Sequence, residues 1–313
     1  MPSLENEYIS GLQRAYESGE FVVTAEIGPP MSSNASHVEK SADVLRGVVH
    51  AANVTDNQTS IVRMSSLAAS YIGLTRGVET ILQMTCRDRN RIAIQSDLLG
   101  AYALGLRNLL CLSGDHQSLG NHPQSKNVFD LDSIQLIKAV ADMKNHSIFI
   151  NGKKGKNMPK FFIGTTTNPF ADPRELQIIR LKKKIEAGAQ FVQTQAIYDV
   201  DSFESWMSEV RSLGLHNEVY IQAGILVNKS LRSMEMTKKV SGMSIPDELI
   251  ERMRNSENQE EEGITIALEI IDRLRKIEGL SGIHIMAVGW EKIVPTIIER
   301  AGLMPTFDSN HSD

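Results

Sequence analysis

Short apolar runs rich in β-branched residues alternate along the chain with longer stretches in which apolar residues recur every three or four positions, and the alternation repeats eight times. The short runs predict strands: "FVVTAEIG" (21–28), "HAANVTDN" (50–57), "TILQMTC" (80–86), "NLLCLSGD" (108–115), "FFIGTTTN" (161–168), "QFVQTQAIYD" (190–199), "VYIQAGIL" (219–226) and "IHIMAVG" (283–289). The intervening stretches predict helices, as at Ile178, Leu181 and Ile185, or Ile293 and Ile297. Continuously apolar strands are buried on both faces, which is the condition of a parallel sheet covered by helices. Eight strand–helix units in one series predict an α/β protein, a closed (β/α)8 barrel. An open doubly wound sheet is the rival, and the absence of G-x-G-x-x-G after the first strand counts against it.

Boundary signals follow the same rhythm. Ser36-His-Val-Glu39 and Asp201-Ser-Phe-Glu204 match the capping-box pattern and predict helix starts. Gly188, Gly214 and Gly302 follow periodic stretches and predict helix ends. The resulting division is an N-terminal helical extension (1–20), a single barrel (21–305) and a frayed tail (306–313). Three segments break the rhythm: a long Gly/Pro/Ser-rich loop at 113–130, a basic-tipped hairpin at 147–159, and the acidic "NSENQEEEG" at 255–263, expected to be a solvated helix start or linker.

Composition narrows the function classes. With 33 basic and 38 acidic residues the formal charge is −5, and the basic clusters "NGKKGK" and "RLKKK" are local, so no nucleic-acid partner is expected. The N-terminus has neither a basic nor an apolar leader region and no run approaches a membrane span, so the expectation is a cytoplasmic protein without a membrane partner. Cys86 and Cys111 lie in apolar runs without a C-x-x-C partner and read as buried thiols; no His/Cys spacing suggests a metal. HExxH, G-x-S-x-G and Walker A patterns are absent.

In a parallel barrel, ligand chemistry gathers at the carboxyl ends of the strands. The polar residues expected there are Glu26, Thr55, Asp56, Gln83, Thr85, Asp115, Thr165 to Asn168, Gln193, Gln195, Gln222 and the His284–Trp290 segment. Two carboxylates in one mouth can divide labour, an apolar setting favouring a proton donor and a polar one a fixed charge. Glu26, between Ala25 and "IGPP", is the acid candidate, and Asp115, beside Gly114 in a polar loop, the fixed charge; helix capping is the competing role for each. Gln193 and Gln195 share one strand face and suit a heterocycle with donor and acceptor edges, or a structural role. Lys183 or Lys184 could reach a pyrophosphate, or belong to a solvated helix face.

These residues resemble the methylenetetrahydrofolate reductases, flavin-dependent (β/α)8 enzymes that form 5-methyltetrahydrofolate. The resemblance runs from about Phe21 to Pro305 and is carried by "TAEIGPP", "NVTDN", "QMTCRDRN", "CLSGD", "LKKKIEAGAQFVQTQAIYD" and "GIHIMAVGWEKIVPTIIERAGL", the last resembling short members of anaerobic one-carbon metabolism. It implies Glu26 as the general acid that opens the methylene bridge and Asp115 as the charge that stabilises the resulting cation. It implies Gln195, with Gln193 and Gln222, as folate contacts. Flavin contacts are implied at Thr55, Asp56, Gln83, Ser113, Gly114, Asp115, Thr166, Asn168, Lys183 and Lys184. Three positions depart from the pattern: Gln83 replaces a histidine, Ser113 an arginine, and Ala196 an aromatic residue. The implied cofactor is FAD, with FMN as the alternative, and the reductant is NADH or electrons delivered by an electron-transfer or zinc-containing partner subunit of an oligomer. A pterin-barrel methyltransferase acting between folate and a corrinoid, and a non-catalytic folate-binding subunit, are the rival functions.

Overall fold

The computed structural model describes residues 8–240 and 242–306; the tail from 307 onward lies outside the described residues. Eight parallel strands follow one another around a closed barrel: β1 (Val22–Ile27), β2 (Ala51–Val54), β3 (Thr80–Thr85), β4 (Asn108–Leu112), β5 (Phe162–Thr167), β6 (Phe191–Ala196), β7 (Tyr220–Leu226) and β8 (Gly282–Met286). Each overlaps one of the expected runs. The β1–β8 ladder, pairing Thr24 with His284 and Ala25 with Ile285, closes the sheet and excludes the open alternative.

Helix α1 (Gly11–Glu17) precedes the barrel. Helices α2 (Ser36–Leu45), α3 (Ser66–Thr75), α4 (Arg91–Ala103), α5 (Ser133–His146), α6 (Arg174–Glu186) and α7 (Val200–Ser212) follow β1 to β6 in turn. Three helices, α8 (Leu231–Lys238), α9 (Asp247–Asn255) and α10 (Gln259–Leu274), occupy the β7–β8 connection, and α11 (Val294–Arg300) follows β8. The apolar stripe of α6, Ile178, Leu181 and Ile185, is buried in the core, as its spacing requires. Gly188, Gly214 and Gly302 sit one residue past the C-caps of α6, α7 and α11 with φ of 116°, 72° and 64°, conformations that end a helix at little cost only for glycine.

Two helix starts differ from expectation. The residue before α2 is Ala35, which has no capping side chain, and the Ser36 amide is taken by Asn34 Oδ1 at 2.9 Å. Helix α7 is capped by Asp199, whose carboxylate accepts from the Ser202 amide (3.0 Å) and hydroxyl (2.6 Å), leaving Asp201 in the first turn. In both cases a short polar side chain two residues upstream reaches the orphan amide first. The basic hairpin forms, with Ile148 and Lys154 in an antiparallel bridge. The acidic stretch places Glu260, Glu261 and Glu262 in the first turn of α10, where the helix dipole favours them.

The amino-terminal end of the barrel is plugged by α1. Its first amides, from Gly11 and Leu12, are satisfied by the Glu79 carboxylate at 2.9 Å each, which fixes the helix across the strand starts. Tyr16 then packs into the barrel, its ring 4.6 Å from Tyr220 and close to Phe162 and Phe191. Beside it Gly164 makes room for a ring: a Cβ there would lie 2.1 Å from Phe191 Cζ. With one end filled by aromatic side chains, the barrel interior opens at its carboxyl-terminal end.

Candidate functional site

At the strand carboxyl ends lies a cavity of about 480 Å³. Glu26 reaches it from β1, Gln83 from β3, Thr166 from β5, and Gln193 and Gln195 from β6, while Thr55, Asp56, Ser113, Gly114, Asp115, Asn168 and Lys184 come from the segments that follow the strands. Of the residues expected to contact folate or flavin, Gln222 and Lys183 do not line it, nor does Thr165, and of the His284–Trp290 segment only His284 and Met286 do. Gln222 is fully buried, and Lys183 is exposed on the outer face of α6.

The floor is a hydrogen-bonded polar layer linking Gln222, Gln193, Thr24 and His284. The Gln222 amide nitrogen donates to the Ile283 (3.2 Å) and Val22 (3.4 Å) carbonyls, which fixes the orientation of the side chain. Its oxygen therefore accepts, from Gln193 Nε2 at 3.0 Å and from the Thr24 hydroxyl at 3.2 Å. The Thr24 proton being committed, its oxygen accepts from His284 Nδ1 at 2.9 Å. With the Thr24 proton on Gln222, a neutral His284 carries its own on Nδ1, which turns an unprotonated Nε2 toward Glu26 Oε2, 3.9 Å away. Gln193 also exchanges hydrogen bonds with Asn53 (2.6 and 3.2 Å), so both ends of its amide are occupied. Gln222 and Gln193 brace the floor. The Gln195 side-chain oxygen accepts from the Ala196 amide (3.1 Å), and its NH2 is uncommitted among the described residues.

The two carboxylates sit in one mouth but in different surroundings. The Glu26 side chain is 10 % exposed, and His284 is the only described residue paired with it. Asp115 is exposed, and its Oδ2 accepts from the Thr59 amide at 3.1 Å. That amide is presented by a turn in which Asn57, Thr59 and Ser60 have φ of 47°, 53° and 61°. Non-glycine residues in this region cost roughly 1–3 kcal/mol each, so the turn persists only because its surroundings hold it. Strand β4 stops at Leu112, because Gly114 takes φ 92° against Thr85 and Arg87.

A third group of residues is cationic. Lys184 is 7 % exposed, and its ammonium donates to the Thr166 carbonyl at 2.6 Å. Burial, reinforced by the neighbouring Arg180 charge, pushes the amine down to about 8. Arg180 and Gln177 line the same wall one and two turns earlier on α6. Asp56, in contrast, is spent on the scaffold: its oxygens accept from the Thr85 amide and hydroxyl (2.9 Å each) and from Arg89 (2.6 and 3.2 Å). Sequence reading assigned no role to His284, Arg87, Arg180 or Gln177. The signal for His284 lay in its register opposite Thr24, two residues before Glu26 on the same strand face.

A closed parallel barrel with one end plugged, a hydrogen-bonded polar floor, two carboxylates in its mouth and a wall bearing Lys184 and Arg180 defines a (β/α)8 protein with a polar, charged mouth. The model of the methylenetetrahydrofolate reductase family matches residues 11–302, and the chain belongs to that family. Methylenetetrahydrofolate reductase 1 of Schizosaccharomyces pombe is 28% identical over 247 residues, 75% of this chain and 38% of its own length. Methylenetetrahydrofolate reductase 2 of Saccharomyces cerevisiae is 28% identical over 258 residues, 78% of this chain and 40% of its own. The chain therefore spans well under half the length of these yeast relatives. The 5,10-methylenetetrahydrofolate reductase of Pectobacterium carotovorum is 22% identical over 276 residues, 79% of this chain and 85% of its own. Among solved structures, an uncharacterized protein from Clostridium thermocellum that binds two copies of 5-methyl-5,6,7,8-tetrahydrofolic acid superposes with a TM-score of 0.67 at 17% identity, covering 92% of this chain and 99% of its own, which establishes likeness of fold. No helix among the described residues is long and apolar enough to cross a membrane.

Proposed function

We propose that this barrel binds a flavin and reduces 5,10-methylenetetrahydrofolate to 5-methyltetrahydrofolate. The observation that carries the reading is the largely buried Glu26, 3.9 Å from His284 Nε2, in the same cavity as the exposed Asp115 and the Lys184–Arg180 wall. Family membership and the folate bound by the Clostridium thermocellum neighbour support the choice of substrate.

The donor set fits a flavin nucleotide. Among the described residues the Thr55 hydroxyl, buried against the cavity, has no hydrogen-bond partner, and the buried Lys184 ammonium bonds only to a carbonyl. A ligand hydroxyl or carbonyl would satisfy the first, and a diphosphate the second. Lys184 and Arg180 would hold that diphosphate, with Thr166 and Asn168 beside it, while Gln83, Ser113 and Gly114 border the space for the ring. When bound, the flavin supplies the hydride. FAD is the form proposed, with FMN the alternative that the missing arginine at position 113 leaves open.

Protonated Glu26 donates to the bridging nitrogen of the folate, and the methylene bridge opens to a cation. The water-poor floor keeps the donor from being levelled by solvent, and His284 Nε2 is placed to exchange a proton with Glu26 between turnovers. Asp115, anchored by the Thr59 amide, offers a fixed negative charge to the cation as it develops. The NH2 of Gln195 points its uncommitted hydrogens at an acceptor edge of the pterin. Donor and folate use one face in turn, a ping-pong cycle, with NADH or a partner subunit as the electron source. A cytoplasmic location and an oligomeric assembly belong to the same proposal.

The test is spectroscopic. Purified protein is expected to carry or take up flavin, and its visible absorbance should bleach anaerobically when 5-methyltetrahydrofolate is added. A colourless protein that takes up no flavin and moves a methyl group to a corrinoid overturns the proposal in favour of methyl transfer; one that only binds folate overturns it in favour of a binding subunit.

A further inference from the structure

Resting on the function just proposed, we infer that Arg87 is a positioning residue: its buried guanidinium locks the strained turn at residues 57–60 onto the β4 exit and thereby fixes the direction of the Asp115 carboxylate in the mouth. Arg87 follows β3, between the two segments it joins, and its side chain is 3 % exposed. Nε and Nη2 form a fork on its neighbour Asp88 at 2.8 and 2.6 Å, which holds the guanidinium plane. Nη1 then donates to the Asp115 carbonyl at 3.1 Å, and Nη2 to the Asn57 carbonyl at 3.4 Å. One planar cation therefore touches both the first left-handed residue of the turn and the backbone of the carboxylate that the turn holds.

Other contacts converge on the same junction. The Ser60 hydroxyl donates to the Asp115 carbonyl at 3.4 Å, and the Asn57 side chain accepts from the Arg63 amide at 3.0 Å. Gly120, in the loop after β4, lies so close to the turn that a Cβ there would sit 1.8 Å from the Ser60 carbonyl oxygen. The Arg87 carbonyl accepts from the Val128 amide at 2.8 Å, so the far end of that loop is tied to the same residue. Asp115 is otherwise exposed, and its side chain has no hydrogen-bond partner among the described residues besides the Thr59 amide. If the turn relaxes, that amide turns away and the carboxylate becomes free to rotate. Arg87 does not reach reacting atoms in this account; it acts through Asp115.

The experiment compares wild type, Arg87→Lys, Asp115→Asn and the double variant, each loaded with FAD. The readouts are the rate of flavin bleaching by 5-methyltetrahydrofolate and the hydrogen exchange of the Thr59 amide. Lysine keeps the charge and loses the fork. Arg87→Lys is expected to slow bleaching by about 10²-fold, the scale of a misplaced catalytic group. It should add nothing further in the Asp115→Asn background, and it should remove protection of the Thr59 amide. Rate losses that multiply in the double variant, or an unchanged Thr59 amide, overturn the inference. Should Arg87→Lys not fold, Arg87→Gln serves, because its amide cannot reproduce the fork and the two carbonyl contacts together; wild-type protection and rate in that variant also overturn the inference. A wild-type protein that is not bleached at all refutes the proposed reaction, while the Thr59 exchange still decides the role of Arg87.

Discussion

Thr24→Val isolates the link between the barrel floor and the acid. Valine keeps the shape of threonine, so no cavity forms, but the hydroxyl that joins Gln222 to His284 is removed. Gln222 Oε1 retains Gln193 as a donor. His284 does not: its Nδ1–H, on a residue 3 % exposed, loses its acceptor. An orphaned buried donor costs about 1–3 kcal/mol, so the variant should melt a few degrees lower than wild type. The ring can recover part of that loss by moving its proton to Nε2, where it donates toward Glu26 and favours the carboxylate. A positioned acid contributes about 10²–10⁴-fold, and a partial loss predicts a folate half-reaction slowed by roughly tenfold or more. Flavin reduction by the electron donor should be unaffected. Anaerobic stopped-flow separates the two half-reactions, and nitrogen-15 correlation spectra of the imidazole report the tautomer. A folate half-reaction at the wild-type rate, or an Nδ1–H tautomer that persists without Thr24, would refute the reasoning.

Three further outcomes follow from the site and its scaffold. Because Lys184 loses its proton near pH 8, flavin affinity should fall as pH rises through that value; Lys184→Arg should flatten the profile and Lys184→Ala should weaken binding at every pH, both read by fluorescence titration. The same shift sets a stability trend in the flavin-free protein. The native lysine deprotonates before the unfolded one, at about 10.4, so the unfolded state holds more protons and stability should rise between pH 8 and that value in urea titrations. Arg89→Leu strands the Asp56 carboxylate, 1 % exposed, and should cost about 3–5 kcal/mol of unfolding free energy, part of which Asp56→Asn restores in the double variant.

The barrel was legible because its strands are apolar on both faces and its helices are not, so strand and helix carried different periods at every repeat. What lay in the loops was less so. The two capping boxes do not form because Asn34 and Asp199, each two residues upstream, cap the earlier amides of Ser36 and Ser202 and shift the helix start, and pattern alone does not rank the candidate caps. Lys183 and Lys184 are adjacent, yet a helix turns about 100° between them. Only Lys184 falls three residues from Leu181 on the buried stripe, a distinction the spacing already contained. Gln222 is expected among the folate contacts, but it is fully buried and both ends of its amide are taken by Gln193, Thr24 and the Val22 and Ile283 carbonyls, partners that strand order does not reveal. His284 and Arg87 were invisible as partners for another reason. Each acts across the barrel on a residue far away in sequence, His284 toward Glu26 and Arg87 toward Asp115.

The central claim is that Glu26 is the proton donor of a flavin-dependent folate reduction and has no part in loading the flavin with electrons. Single-turnover kinetics of Glu26→Gln test it most directly. The account predicts normal flavin content and normal reduction by the electron donor, with reoxidation by methylenetetrahydrofolate slowed by about 10²–10⁴-fold. Reoxidation at the wild-type rate would contradict it.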